Sequence, residues 1–353
     1  MQPPSMCASP RPLPQSDTAT LTNPLVQRGQ DPYLVCHQGH YYLLMSEDDR
    51  RLTIRCAARL ADLGRVPTTI VWEAPRTGPT RTHVWAPEMV LIDGHWYIYF
   101  AADNGRNVTH RMYVLESVGR DPLGPYREKG KIADRTDMWA IDGTVLEEGE
   151  DRYFIWSGWP SHQNVQQNLY IARMSTPWSL SDERVLLSEP TYAWEIPTRF
   201  PTGMHNSVIP RVNEGPVLLC RNRRVFLVYS ANGSWTEDYC LGLLTRTAGS
   251  NPLDRYAWRK SVEPVFVKNP AAGVYAPGHN SFFQSPDSRE DWIVYHANLT
   301  RRGHWKKRTV MAQRFTWQAD GTPDFGAPLA PGTCQGGPAG EAATVVEVLD
   351  VAA

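Results

Sequence analysis

Short apolar runs recur along this chain, each opened by a polar head beside a turn-forming residue. That recurrence limits the fold more than any single motif does. At Val212-Asn213-Glu214-Gly215-Pro216-Val217-Leu218-Leu219 a carboxylate sits between turn formers and an apolar run that continues to Cys220. Gly and Pro bend the backbone, so the acid stands at the mouth of a buried strand. Gln30-Asp31-Pro32-Tyr33-Leu34-Val35-Cys36 and Ile141-Asp142-Gly143-Thr144-Val145-Leu146 repeat the arrangement. One such acid is an ordinary solvated turn carboxylate. Acids at the heads of several like strands need a common explanation.

The wider pattern supplies one. Five segments share an outline of polar head, apolar strand, turn, aromatic-rich strand, and a further strand closing near an Arg or a polar loop. The heads fall at Asp31, Glu88, Asp142, Glu214 and His279, spaced by 57, 54, 72 and 65 residues. Short strands in sets, without a long helical period, argue an all-β chain. A repeat of this length predicts a five-bladed β-propeller with inserted loops, the innermost strand of each blade lining a central channel. The heads then converge at one end of the axis. A two-sheet sandwich is the structural alternative, but it does not require equivalent heads in register.

The outline assigns one catalytic domain to residues 24–330. Before it lies a Pro-, Ser- and Thr-rich stretch, 1–23, read as a disordered leader, and after it a C-terminal tail, 331–353. The leader lacks the apolar core of a signal peptide, so the sequence leaves open whether the protein is secreted or cytoplasmic. No apolar run approaches the roughly 18 residues that span a bilayer. Net charge is −1 and pI about 6.8, with Lys and Arg thinly spread, which gives no support for a nucleic-acid or membrane partner. The 13 Trp and 15 Tyr are enough to fill cores and also to offer flat platforms for sugars. Sequons at Asn107, Asn232 and Asn298 matter only in a secreted protein. Cys36/Cys56 and Cys220/Cys240 repeat a 20-residue spacing that puts each pair on alternate strands, too far apart for a disulfide. All four read as small buried hydrophobes, and no Cys/His spacing suits a metal.

A funnel holding Asp31, Asp142 and Glu214 forces carboxylates to share charge, so one stays protonated while another stays ionised. Glycoside hydrolysis uses that inequality: an acid protonates the departing oxygen while a base works on the other face. Glu214 has the longer reach and is assigned as acid, Asp31 as base, and Asp142 as the group that tunes and orients Glu214. The competing reading is three structural acids bonding strand-edge amides.

These heads resemble glycoside hydrolase family 43, the arabinofuranosidases and xylosidases built on a five-bladed propeller. Asp31-Pro32 resembles its base motif, Trp85-Ala86-Pro87-Glu88 its second-blade signature, Ile141-Asp142-Gly143 its third-blade aspartate, and Asn213-Glu214-Gly215-Pro216 its acid motif. Val274-Tyr275-Ala276-Pro277-Gly278-His279-Asn280-Ser281-Phe282, Gln167-Asn168-Leu169-Tyr170-Ile171-Ala172 and Pro177-Trp178 are similar to the exo-acting α-L-arabinofuranosidases. The resemblance implies release of terminal α-L-arabinofuranosyl units from arabinan- or arabinoxylan-type glycans, with inversion. Inversion in turn expects the Asp31 and Glu214 carboxyls roughly 6.5–9.5 Å apart. No cofactor is required. The resemblance allows a structural calcium or sodium ion in the channel beside His279, held largely through water, and a plain core histidine is the alternative.

The resemblance also matches Arg308 to a late arginine near the site. Arg301-Arg302 and Lys306-Lys307-Arg308 otherwise read as a solvated loop with one residue turned inward. Trp85 either stacks on the sugar or packs the funnel wall, and Glu88 takes a structural hydrogen-bonding role. β-D-Xylosidase action and a non-hydrolytic carbohydrate-binding propeller remain the alternative functions. Fructan-processing propellers carry different heads and are set aside.

Overall fold

A computed structural model describes residues 20–200, 208–301 and 305–341. Among these the regular elements are β-strands and short 3-10 turns, so the chain is all-β. Three four-stranded antiparallel sheets comprise Tyr33–His37, His40–Glu47, Arg51–Ala57 and Thr68–Glu73; then Thr82–Ile92, His95–Asp103, Arg111–Ser117 and Tyr126–Ile132; and, later, Tyr275–Gln284, Asp291–Asn298, Thr309–Trp317 and Pro323–Asp324. Between them lies a nine-stranded sheet. Its two antiparallel halves, opened by Ala140–Glu148 and Arg211–Arg221, are joined by a short parallel pairing of Gln166 and Gln167 with Arg211 and Val212.

The hairpins follow from turn chemistry. Gln38-Gly39, Asp93-Gly94 and Asn222-Arg223 each place two successive residues at positive φ, the geometry that matches the twist of the flanking strands.

Continuous apolar runs, rather than alternating ones, fill the second strand of each sheet because both of its faces are buried. Leu43, Tyr99, Phe154, Leu227 and Ile293 point into one core, while their neighbours Leu44, Phe100, Ile155, Val228 and Val294 point into the next. Each core therefore lies between two consecutive sheets, and one of them joins Leu34 and Leu43 of the first sheet to Trp292 and Val294 of the last. The N-terminal segment reinforces that junction. Val26 exchanges backbone hydrogen bonds with Val310, and the Asn23 side chain both donates to and accepts from the Ala312 backbone.

Two boundaries differ from the sequence reading. Thr20–Thr22, inside the stretch assigned to the leader, pairs with Cys334–Gly336, inside the stretch assigned to the tail. The rest of the leader, residues 1–19, and the tail from 342 lie outside the described residues, as does Cys7. The described cysteines are all free, but Cys36 and Cys220 are exposed, not buried. Each sits at the end of its strand against a tight turn, where no neighbouring sheet covers it. Cys56 is partly covered and Cys240 is buried. The Asn232 and Asn298 side chains are buried, which makes poor acceptors of those two sequons.

At the mouth of four of the five head strands the ladder breaks. Register shifts fall between Trp85 and Glu88, Ile141 and Thr144, Glu214 and Val217, and Gly278 and Ser281. Inside these bulges one residue takes positive φ: Ala86 at 42°, Asp142 at 55°, Gly215 at 54° and His279 at 46°. Asp31, at 49°, holds the same place before Tyr33–His37. The equivalent positions are therefore 31, 86, 142, 215 and 279. Asp31, Asp142 and His279 are in register as expected, whereas Glu214 stands one residue before the kink and Glu88 two after it.

Gly143 follows one of these kinks, and a Cβ there would stand 2.0 Å from the Phe154 ring. Gly143→Ala is expected to lower stability by about 1–3 kcal/mol, the range for overpacking a filled core. Urea unfolding of both proteins measures it.

Candidate active site

The bulges bring side chains from the first sheet, the last sheet and both halves of the nine-stranded sheet into one buried cluster. Asp31, Asp142, Glu214 and His279 all lie there, each less than a tenth exposed. Asp142 Oδ2 accepts the Gly215 backbone N–H at 3.0 Å, tying the third-segment head to the residue after Glu214. Glu214 Oε1 accepts the Tyr239 hydroxyl at 2.7 Å. Around Asp31 Oδ1 stand His296 Nδ1 at 3.2 Å, His279 Nδ1 at 3.4 Å and an Arg308 guanidinium nitrogen at 3.5 Å. The Asp31 backbone nitrogen also lies 3.2 Å from His296 Nδ1, so that one imidazole nitrogen faces both the main chain and the carboxylate of Asp31.

Small residues let these groups approach. A Cβ on Gly215 would lie 3.2 Å from His279 Nδ1, and one on Gly278 would lie 2.4 Å from the Tyr239 ring. His279 is held from behind by its own backbone N–H, which donates to Ser230 Oγ at 2.8 Å. Arg308 donates to the Ser234 carbonyl at 2.9 Å. Within the described part of the basic run, Arg308 is the buried residue, while Arg301, Lys306 and Lys307 are exposed. Arg302 lies outside the described residues.

The environment separates the carboxyls. Burial alone would raise Asp31, yet His279, His296 and Arg308 together outweigh it and hold the group well below the ordinary aspartate range. Burial pushes both imidazoles down, His296 to about 3, so at neutral pH they are uncharged and Arg308 is the standing positive charge opposite Asp31. Burial pushes Glu214 up to about 7; the Tyr239 hydrogen bond opposes the rise and the Asp31 charge adds to it. Asp142 is raised well above its usual range by burial and then by the neighbouring Glu214 and Asp31. One buried cluster thus holds an ionised carboxylate and a protonated carboxylic acid near neutral pH.

Glu88 is also buried and is pushed up to about 8 by burial, with a hydrogen bond to Thr144 opposing. It points to a neighbouring head strand, not to Asp31 or Glu214. Trp85 is half-buried and stacks on His110, with ring centroids 4.1 Å apart. Trp139 and Trp159 continue this aromatic wall, stacked at 4.7 Å, with His110 edge-on to Trp139. Among the described residues no group of three or more His, Cys, Asp or Glu side chains could hold a metal.

Sequence reasoning missed Tyr239 and His296. Tyr239 lies just before Cys240–Thr247 with no motif around it, and its partner Glu214 is 25 residues away. His296 carried a faint signal, an imidazole directly after the apolar run Trp292-Ile293-Val294-Tyr295.

Residues 21–323 match the sequence model of glycosyl hydrolases family 43. An extracellular exo-α-(1→5)-L-arabinofuranosidase from Streptomyces avermitilis is 37% identical over 328 residues, taking in 90% of this chain and 66% of the relative. α-L-Arabinofuranosidase 43 from Humicola insolens is 35% identical over 326 residues, taking in 90% of this chain and 65% of the relative. The chain therefore spans just under two thirds of the length of these curated relatives. The crystal structure of an α-L-arabinofuranosidase from Lactobacillus brevis superposes with a TM-score of 0.81 at 36% identity, covering 89% of this chain and 98% of that one.

The Tyr239 hydroxyl favours the ionised form of Glu214, so Tyr239→Phe is expected to raise the Glu214 titration above about 7. The expected rise is about one pH unit, equivalent to roughly 1.4 kcal/mol for a hydrogen bond to a charged group. Infrared titration of carbon-13-labelled glutamate reads it.

Proposed function

The chain belongs to glycosyl hydrolases family 43, and on that premise we propose that it is an exo-acting, inverting α-L-arabinofuranosidase. The observation that carries this reading is the unequal protonation of two carboxyls in one buried cluster, Glu214 raised to about 7 and Asp31 held ionised. Glu214 donates its proton to the glycosidic oxygen as the bond to the anomeric carbon breaks. Asp31 takes a proton from a water attacking the opposite face, so an α-arabinofuranoside yields β-arabinose. Asp142 fixes the kink after Glu214 by accepting the Gly215 backbone N–H. Arg308, 3.5 Å from Asp31, is its charged partner at neutral pH, and Trp85 is assigned to bind the sugar by stacking.

The substrate is an arabinofuranosyl-bearing glycan of arabinan or arabinoxylan type. The Streptomyces relative, named for exo-α-(1→5) action, supports terminal cleavage. The scaffold is a five-bladed β-propeller over residues 24–330, a reading supported by cores that lie between each sheet or half-sheet and the next, last to first. A channel calcium or sodium beside His279 would be held through water. His296 Nε2 and both side-chain polar atoms of Asn280 are buried without a protein partner, the kind of groups water satisfies.

Proton NMR during hydrolysis of arabino-oligosaccharides tests the proposal. β-Arabinose is expected as the first product, and Glu214→Ala or Asp31→Ala should lower turnover by at least about 100-fold. Near-normal turnover in either variant would overturn the assignment. Faster hydrolysis of a nitrophenyl xyloside than of the arabinofuranoside would replace the substrate by a β-D-xyloside.

A further inference from the structure

Beside the acid motif lies a buried polar cluster that this chemistry does not use. Glu195, fully buried at the end of the short turn Ala193–Glu195, accepts hydrogen bonds at both oxygens. Oε2 takes the Thr191 and Tyr192 backbone N–H groups at 2.7 and 2.8 Å. Oε1 takes the Lys260 ammonium at 2.5 Å, the Asn213 side-chain amide at 2.8 Å and the Tyr229 hydroxyl at 3.0 Å. A buried carboxylate with this many donors is fixed in direction, because any looser arrangement leaves it desolvated and unpaired.

The residue this cluster grips is Asn213. Its side-chain oxygen accepts the Ser188 hydroxyl at 2.9 Å, and its backbone carbonyl accepts the Ser157 hydroxyl at 2.9 Å. Ser157, Ser188 and Lys260 come from three different strands, so Asn213 is anchored to both halves of the nine-stranded sheet. The next residue is Glu214, and the ladder breaks immediately after it. Asn213 is therefore the fixed point from which the Glu214 backbone is aimed.

We infer that Glu195 and Lys260 are positioning residues for Glu214, acting through Asn213. The inference rests on the reading of Glu214 as the general acid. Misaiming an acid slows a substrate whose leaving group must be protonated and spares one whose leaving group departs as an anion. That selectivity separates positioning from a merely structural role.

Glu195→Gln keeps the size of the side chain and removes the charge opposite Lys260. With α-1,5-arabinobiose, kcat is expected to fall by about 10- to 100-fold with KM within about 3-fold of the parent. With dinitrophenyl α-L-arabinofuranoside, kcat is expected to stay within about 3-fold. Glu214→Gln is the reference: if it lacks the same selective loss, the reading of Glu214 itself falls. If Glu214→Gln shows the selectivity and Glu195→Gln slows both substrates equally, or neither, the positioning inference is overturned. Should thermal unfolding reveal that Glu195→Gln does not fold, Ser188→Ala removes one hydrogen bond to Asn213 and is read by the same two-substrate ratio.

Discussion

The site depends on a backbone kink repeated at the mouth of every head strand. A regular strand sends successive side chains to opposite faces and could not turn the heads of several strands into one cluster. A residue at positive φ inside a bulge re-aims the chain locally, at a cost of about 1–2 kcal/mol for each side chain that is not glycine. Asp31, Asp142 and His279 carry that strain, and Gly215 meets the same need without it. The strained positions persist because the strands behind them are locked between two cores each.

Electrostatics then divides the labour among acids that the kinks have crowded together. Asp31 faces Arg308, while Glu214 and Asp142 face each other, a tyrosine hydroxyl and a backbone N–H. His279, His296 and Arg308 together outweigh burial at Asp31, and that decides which carboxyl ionises first. At neutral pH burial leaves the two imidazoles uncharged, and Arg308 is the positive charge that remains.

The all-β class and the identity of the heads were legible in the sequence because both are local. Turn formers beside apolar runs announce a strand mouth, and Asp93-Gly94 announces a hairpin. The register of the heads was legible only in part. Glu88 and Glu214 are acids near the expected positions, yet Ala86 and Gly215 occupy the kinks, and chemistry does not reveal which neighbour takes positive φ. Tyr239 and the Glu195–Lys260 cluster were not legible at all, and His296 only faintly, as an imidazole after an apolar run. They become neighbours of the heads only when sheets pack, across separations that no motif spans. The burial assigned to Cys36 and Cys220 failed for a related reason: an apolar run marks a strand, but not which of its ends a neighbouring sheet covers.

The junction between the last sheet and the first has a consequence for how the protein would fail. The Gly29 N–H donates to the carbonyl of Arg308, two residues before the Val26–Val310 pairing, and Asp31 follows two residues after Gly29. The clasp and the charge pair are thus one continuous stitch: the peptide that fastens the closing seam also carries Asp31 and meets Arg308. Leu21, Leu25 and Val26, on that same peptide, belong to the core under the seam, so slackening there would loosen core and charge pair together.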